Sequence, residues 1–195
     1  MTHISPKQRD ELPPLEPMFK MVEESMGFLP TSMMTMAHWP EFTQAFGGLG
    51  ATVLHSGELD AGLKQMIAFA VSNAAGCRYC QAHTANSAQK NNVSAEKIQA
   101  VFEFESNDLF SDQEKAALRV AVHAGMVPNA VDAEHMSELS RYFSERQVIE
   151  VVAVISLFGF LNRWNDTMAT TLETAPKNFA TDQLSSQGWV AGKHD

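Results

Sequence analysis

Both cysteines of the chain stand in one short stretch, Gly76-Cys77-Arg78-Tyr79-Cys80-Gln81-Ala82-His83-Thr84, with His83 three residues beyond the second. On a helix each step of three is close to one turn of about 3.6 residues. Cys77, Cys80 and His83 then fall on one stripe, where neighbours touch. Two cysteines so spaced sit about 5 to 5.5 Å apart at Cα, inside the range a disulfide accepts. A thiol, a second thiol to close on it and an imidazole to move protons make a redox centre. Free cysteine has a pKa of about 8.5, lowered at a helix N-terminus or beside a histidine. With the helix expected to begin at or just before Cys77, both sulfurs lie at the positive end of its dipole. This assigns Cys80 as the attacking thiolate, with His83 one turn on to take its proton, and Cys77 as the resolving thiol. Cys80 would attack a peroxide O–O bond and become a sulfenic acid, which Cys77 closes to a disulfide. An external dithiol then restores the pair.

The same residues bear on rival chemistries. A closed zinc site needs four ligands, and one helix face supplies three at most. His38, His55, His123 and His135 belong to no ligand motif, so no metal is expected. A c-type haem needs histidine directly after the second cysteine, where Gln81 stands. A thioredoxin fold needs strands around the pair, and none is apparent. The plainest alternative is two buried thiols acting as small apolar side chains.

The 195-residue chain suits one sizeable domain. Its net charge of −9, with 14 scattered Lys and Arg, argues against a nucleic-acid partner. The polar stretch Met1 to Leu12 is unlike a secretory signal, and no apolar run reaches the 18 or so residues of a membrane span. A close thiol pair without an export signal leads to the expectation of a cytoplasmic protein.

The elements that must carry the centre read as helices throughout. Residues 1 to 13 look like an arm without a core. Leu15 to Met26 is helical and stopped by Gly27; Thr31 or Ser32 is expected to cap a short segment, Met33 to His38. Pro40 suits the first turn of the next helix, to about His55, whose Gly47, Gly48 and Gly50 suggest close helix packing. Asp60 caps Ala61 to Asn73, Ala74-Ala75-Gly76 breaks it, and the cysteine helix runs to about Lys90. Ser94 caps Ala95 to Phe104. Ser111 to Glu114 and Ser144 to Gln147 are capping boxes heading further helices. The more apolar of these, Val148 to Gly159, is expected at the centre, with a helical continuation from Phe160 to about Leu172. Nothing alternates as a strand does.

A repeat is visible at a spacing of 83 residues. Lys64 to Val71, then Gly76 and Cys77 to Thr84, has a counterpart in Gln147 to Val154, then Gly159 and Phe160 to Thr167. Phe160, Arg163 and Asp166 there replace Cys77, Cys80 and His83, so only the first half carries redox residues. The expected organisation is one domain over 1–175, with a redox core at about 56–105 and a degenerate second half at about 111–172. Residues 176–195 read as a C-terminal tail.

The stretch GCRYCQAHT, preceded by LKQMIAFAVSNAA, resembles the core of the alkylhydroperoxidase D (AhpD) / carboxymuconolactone decarboxylase family, and its peroxidase-related branch in particular. Gly27 to Pro30 and Phe160 to Asp166 extend the likeness over roughly residues 20 to 172. The resemblance implies an all-α, AhpD-like helical bundle of two pseudo-repeated halves, a trimeric or hexameric homo-oligomer, and thiol-dependent peroxidase activity. It implies no cofactor, an organic hydroperoxide as substrate and a dithiol or thioredoxin-like reductant. It also implies the roles reached above: Cys80 peroxidatic, Cys77 resolving, His83 in a proton relay. Three positions depart from the pattern. Only Gln81 and Ala82 separate Cys80 from His83, Tyr79 stands where a histidine is usual, and Gln65 occupies the place of a relay glutamate. Glutamine can orient a histidine but cannot accept its proton. Met33, Met34, Met36, Trp39, Phe158 and Trp164 are candidates to line a hydroperoxide pocket, though such stripes are more often core. Arg163 and Asp166 read as an ion pair or a polar rim. Two other readings stand beside the peroxidase: a decarboxylase-like lyase with His83 as general acid, and a redox sensor without turnover.

Overall fold

The computed structural model describes residues 2–195, which contain ten α-helices, five short 3-10 turns and no strand. The early helices are α1 (Glu16–Met26), α2 (Thr31–Met36) and α3 (Pro40–His55), with Pro40 in the first turn of α3. Neither Thr31 nor Ser32 caps α2; its first residue is Thr31, and the Thr31 amide donates to the carboxylate of Glu173 from far along the chain. Of the three α3 glycines, Gly47 faces the Met18 side chain closely, while Gly48 and Gly50 face open space. Close packing therefore explains only Gly47.

The centre is α4 (Ala61–Ala74), started by Asp60, whose side chain accepts from the Leu63 amide at 2.9 Å. Gly62 and every residue from Lys64 to Ser72 are buried, because α5 (Arg78–Lys90), α7 (Asp112–Gly125) and α9 (Glu145–Met168) pack around it. Between these lie α6 (Ala95–Gln99) and α8 (Ala133–Tyr142). Both expected capping boxes form, Ser111 with Glu114 and Ser144 with Gln147. A buried ion pair ties the two apolar helices, with Lys64 Nζ 3.7 Å from a Glu150 carboxylate oxygen. Glu150 also accepts from the Glu58 and Leu59 amides and from Arg146. Those hydrogen bonds make the buried charge tolerable.

Three expectations change. α9 is not the centre: Ile149 is 65% exposed and Val152 38%. It is apolar enough by length and composition to cross a bilayer, with mean hydropathy 1.3, but its inner face packs on α3, α4, α5 and α7. It runs unbroken through Gly159 to Met168, as the expected helical continuation from Phe160 requires. The arm has a small core after all, since Leu12 and Leu15 pack with Phe19, Met34 and Ala37. Finally, residues 176–195 are no loose tail. α10 (Thr174–Leu184) packs on α5 and buries Pro176, Ala180 and Leu184, and beyond it Trp189 and His194 are buried as well. Apolar residues there are too few to announce a helix by periodicity, yet Ala180, Leu184 and Trp189 join the core.

Candidate functional site

The dithiol is placed by a break in the chain. α4 ends as the Ala75, Gly76 and Cys77 amides donate back to the Val71, Asn73 and Ser72 carbonyls. Gly76 takes φ of 76°, which a side chain would resist. That turn sets Cys77 as the N-cap of α5, and its Sγ accepts from the Cys80 amide at 3.4 Å. Both cysteines are free thiols and both are buried. The one-turn spacing expected of them is present.

The electrostatics differ from the expectation that Cys80 is easily ionised. Burial pushes the Cys80 thiol well above its ordinary range, and Cys77 beside it adds to the rise. The Asn165 side-chain amide, donating at 3.4 Å, is the opposing contact. Burial disfavours the charged thiolate, against the ease of ionisation expected from helix position.

His83 lies on the stripe as read, but its partner was not foreseen. Its Nε2–H donates to Glu173 Oε2 at 2.6 Å, and Tyr79 Oη–H donates to Glu173 Oε1 at 2.8 Å. The Tyr79 and His83 rings stack at 4.2 Å. Burial alone would raise the Glu173 carboxyl, but His83 and the Thr31 amide outweigh it and hold it at about 2. Gln65 is buried on α4 and makes no hydrogen bond to His83 among the described residues. The carboxylate that α4 lacks comes instead from the α9–α10 link. Glutamates are common enough that only the fold could single out Glu173.

On the other side of the pair lies a second group that sequence reasoning missed. Cys77 Sγ, an Asp166 oxygen and a His194 ring nitrogen all lie within 4.8 Å of one another. His194 Nδ1–H donates to the Thr170 carbonyl at 2.8 Å, and Nε2 is 3.2 Å from Asp166 Oδ1. Lys193 Nζ reaches Asp166 Oδ2 at 3.0 Å. Sulfur, carboxylate and imidazole are a donor set that metals use, but they number three, and the lysine ammonium already serves the carboxylate. His194 has no motif spacing to Cys77, so no sequence signal marks it.

A cavity of about 530 Å³ opens between α4, α7 and α9, and Asp166 is on its wall. Val71, Ala74 and Ile155 give it apolar surface; Asn162 and Arg163 give it polar groups. Both side-chain amide atoms of Asn162 are buried without a hydrogen-bond partner among the described residues. None of the six Met and aromatic candidates lines this cavity. Met33, Met34, Met36 and Phe158 are core, whereas Trp39 and Trp164 join an aromatic cluster with Phe42, Phe46 and Phe160.

Residues 40–123 match the Carboxymuconolactone decarboxylase family. The chain is 40% identical to the debrominase Bmp8, with 93% of this chain and 98% of Bmp8 superposing at a TM-score of 0.87. A cysteine-to-alanine variant of Bmp8 in complex with 2,3,4-tribromopyrrole is 39% identical and superposes at 0.88, over 93% of this chain and 97% of that one. A peroxidase-related protein from Silicibacter sp. TM1040 has the same fold at 18% identity and TM-score 0.78, over 89% of this chain and 92% of its own. The protein YnjA of Escherichia coli (strain K12) is 27% identical over 110 residues, which span 56% of this chain and only 60% of YnjA. The motif around the dithiol, the all-helical fold and a near-full-length likeness agree: the chain belongs to the AhpD-like, carboxymuconolactone decarboxylase family.

Proposed function

We propose that this chain is a thiol-dependent oxidoreductase that removes a halogen reductively from a small halogenated aromatic ring, using Cys77 and Cys80 as a dithiol–disulfide couple. The observation that carries the reading is the pair of free, buried thiols one turn apart, with the Cys80 amide on Cys77 Sγ at 3.4 Å. Two thiols so held supply two electrons by closing to a disulfide, so no cofactor is required. Likeness to the debrominase Bmp8 over nearly the whole chain supports the halogenated substrate, and the 530 Å³ cavity falls within the usual size of small-molecule sites.

The same sulfur chemistry serves an organic hydroperoxide, which is the second reading. The observation in its favour is the His83–Glu173 pair at 2.6 Å, a histidine–carboxylate couple beside the dithiol. Both readings need an external dithiol or thioredoxin-like protein to reduce the disulfide. A homo-oligomer goes with either. The exposed apolar residues of α3 and α9, among them Leu49 at 54% and Ile149 at 65%, are where copies would meet.

The test gives reduced protein 2,3,4-tribromopyrrole or a related bromopyrrole with excess dithiothreitol, and follows bromide. A parallel arm follows cumene hydroperoxide. The expected result is bromide release that is lost in Cys77→Ser and in Cys80→Ser. Peroxide turnover without bromide release selects the second reading. Activity that survives loss of both thiols overturns both, and leaves a lyase with His83 as general acid.

A further inference from the structure

We propose that Cys77 is the thiol that meets the substrate, and that His194, held by Asp166 and the Thr170 carbonyl, is the group that takes and returns its proton. This rests on the dithiol reading above and reverses the order of the two thiols expected from helix position alone.

The geometry makes the assignment. A carbonyl only accepts, so the 2.8 Å contact to Thr170 fixes a hydrogen on His194 Nδ1. Nε2 is thereby left facing Asp166 Oδ1 at 3.2 Å, with Cys77 Sγ in the same cluster. A bare lone pair pointing at a carboxylate is unfavourable; a hydrogen on Nε2 turns the contact into a charge-assisted bond. The thiol of Cys77 is the neighbouring source of that hydrogen. Its transfer leaves a thiolate, an imidazolium and a carboxylate in a row, and Lys193 on the far oxygen of Asp166 offsets the added negative charge. Cys80 lacks such a partner: Asn165 and the Thr84 hydroxyl bonded to its carbonyl are neutral. The groups facing Cys77 and His194 that titrate or carry charge are Asp166, Lys193, Cys80 and Tyr79, whose ring is 5.9 Å from that of His194.

The cavity also points this way. Asp166 belongs both to its wall and to the Cys77 cluster, and the cavity reaches Ala74 and Ala75, three and two residues before Cys77. Asn162, buried in that wall with both amide atoms unpartnered, is ready to hydrogen-bond a ring N–H or a hydroxyl. Neither sulfur lines the cavity; the side chain that links its wall to the dithiol is Asp166, and it does so on the Cys77 side.

The steps then balance. The Cys77 thiolate attacks the halogen, forming an S–X bond as the C–X bond breaks. The electron pair left on carbon takes the Nε2 proton of His194, giving the dehalogenated ring. The Cys80 thiol displaces halide from Cys77 sulfur, forming the disulfide, and its proton returns to His194 Nε2. Carbon gains two electrons, the two thiols lose them, and an external dithiol resets the pair.

The test does not depend on the substrate. In reduced full-length Cys80→Ser protein the thiolate absorbance of Cys77 is titrated against pH, alone and with His194→Gln added. Cys77→Ser protein reports Cys80 in the same way. The expected result is a Cys77 midpoint below that of Cys80, raised by roughly a unit or more when His194→Gln is added. Hydrogen–deuterium exchange in NMR of the His194 ring in otherwise wild-type protein guards against a variant that fails to fold; a Nε2 proton present with thiolate is expected. A Cys80 midpoint below that of Cys77, or a Cys77 midpoint indifferent to His194→Gln, overturns the proposal. So does stoichiometric zinc in the purified protein that is lost with Cys77→Ser. Loss of bromide release with these titrations as expected would refute the substrate and leave the thiol order standing.

Discussion

The dithiol stands between two histidine–carboxylate pairs, alike in chemistry and opposite in construction. His83 and Glu173 lie 2.6 Å apart, and the carboxylate also receives the Thr31 amide and the Tyr79 hydroxyl. It is therefore saturated with donors and joins α2, α5 and the start of α10. His194 and Asp166, at 3.2 Å, have a sulfur within reach and a cavity against the carboxylate. The first pair joins three elements, and in the proposal above the second moves the proton of Cys77. A histidine on the same helix stripe as a thiol is thus weaker evidence for proton transfer than one clustered with the sulfur and a carboxylate.

The largest expected effect separates the two histidines. His194→Gln should lower the turnover number of bromide release by roughly 100- to 10,000-fold, the usual share of a general acid or base. His83→Gln should lower it by less than about tenfold. The reverse ranking, measured under saturating substrate, would make His83–Glu173 the working pair.

Next in size is the stability held by Glu173. Its carboxyl falls from 4.5 to about 2 on folding, worth on the order of 3 kcal/mol. A lowered carboxyl contributes fully above its unfolded value and loses that contribution as pH falls from 4.5 toward 2. Urea unfolding of the wild type should weaken across that window, and Glu173→Gln should be less stable at neutral pH with a flatter acid limb. An unchanged acid limb would mean the carboxylate is not the tie it is taken for.

The smallest effect concerns the turn that orients both pairs. Gly76→Ala puts a side chain at φ of 76° with no atom within 4 Å, so only backbone strain acts. About 1 kcal/mol of destabilisation is expected in thermal or urea unfolding. A loss several times larger would mean the Cys77 cap itself had moved.

The related halves of the chain explain how much could be read in advance. Cys77, Cys80 and His83 were legible because a helix converts a spacing of three into proximity, and α5 is that helix. Their counterparts Phe160, Arg163 and Asp166 looked inert, since the second half carries no thiol. Gly76 turns the chain and ends α4, whereas Gly159 sits inside a helix that continues to Met168. The unbroken α9 carries Asp166 back to Cys77, across a sequence distance that no periodicity records. Gln65, read as able to orient His83, makes no hydrogen bond to it among the described residues, and the carboxylate that meets His83 is Glu173, from a link with no pattern of its own.

By itself the sequence determined what is local: helices from apolar spacing and capping boxes, a break at Gly76, and two sulfurs one turn apart. These follow from bond geometry and hydrogen bonds within a few residues. Tertiary structure decided that Asp166 and His194 come to Cys77, that Glu173 meets His83, and that the final residues pack on the dithiol helix. Those outcomes depend on burial and on long-range packing, where burial disfavours a charged thiolate and the partner comes from wherever the chain returns.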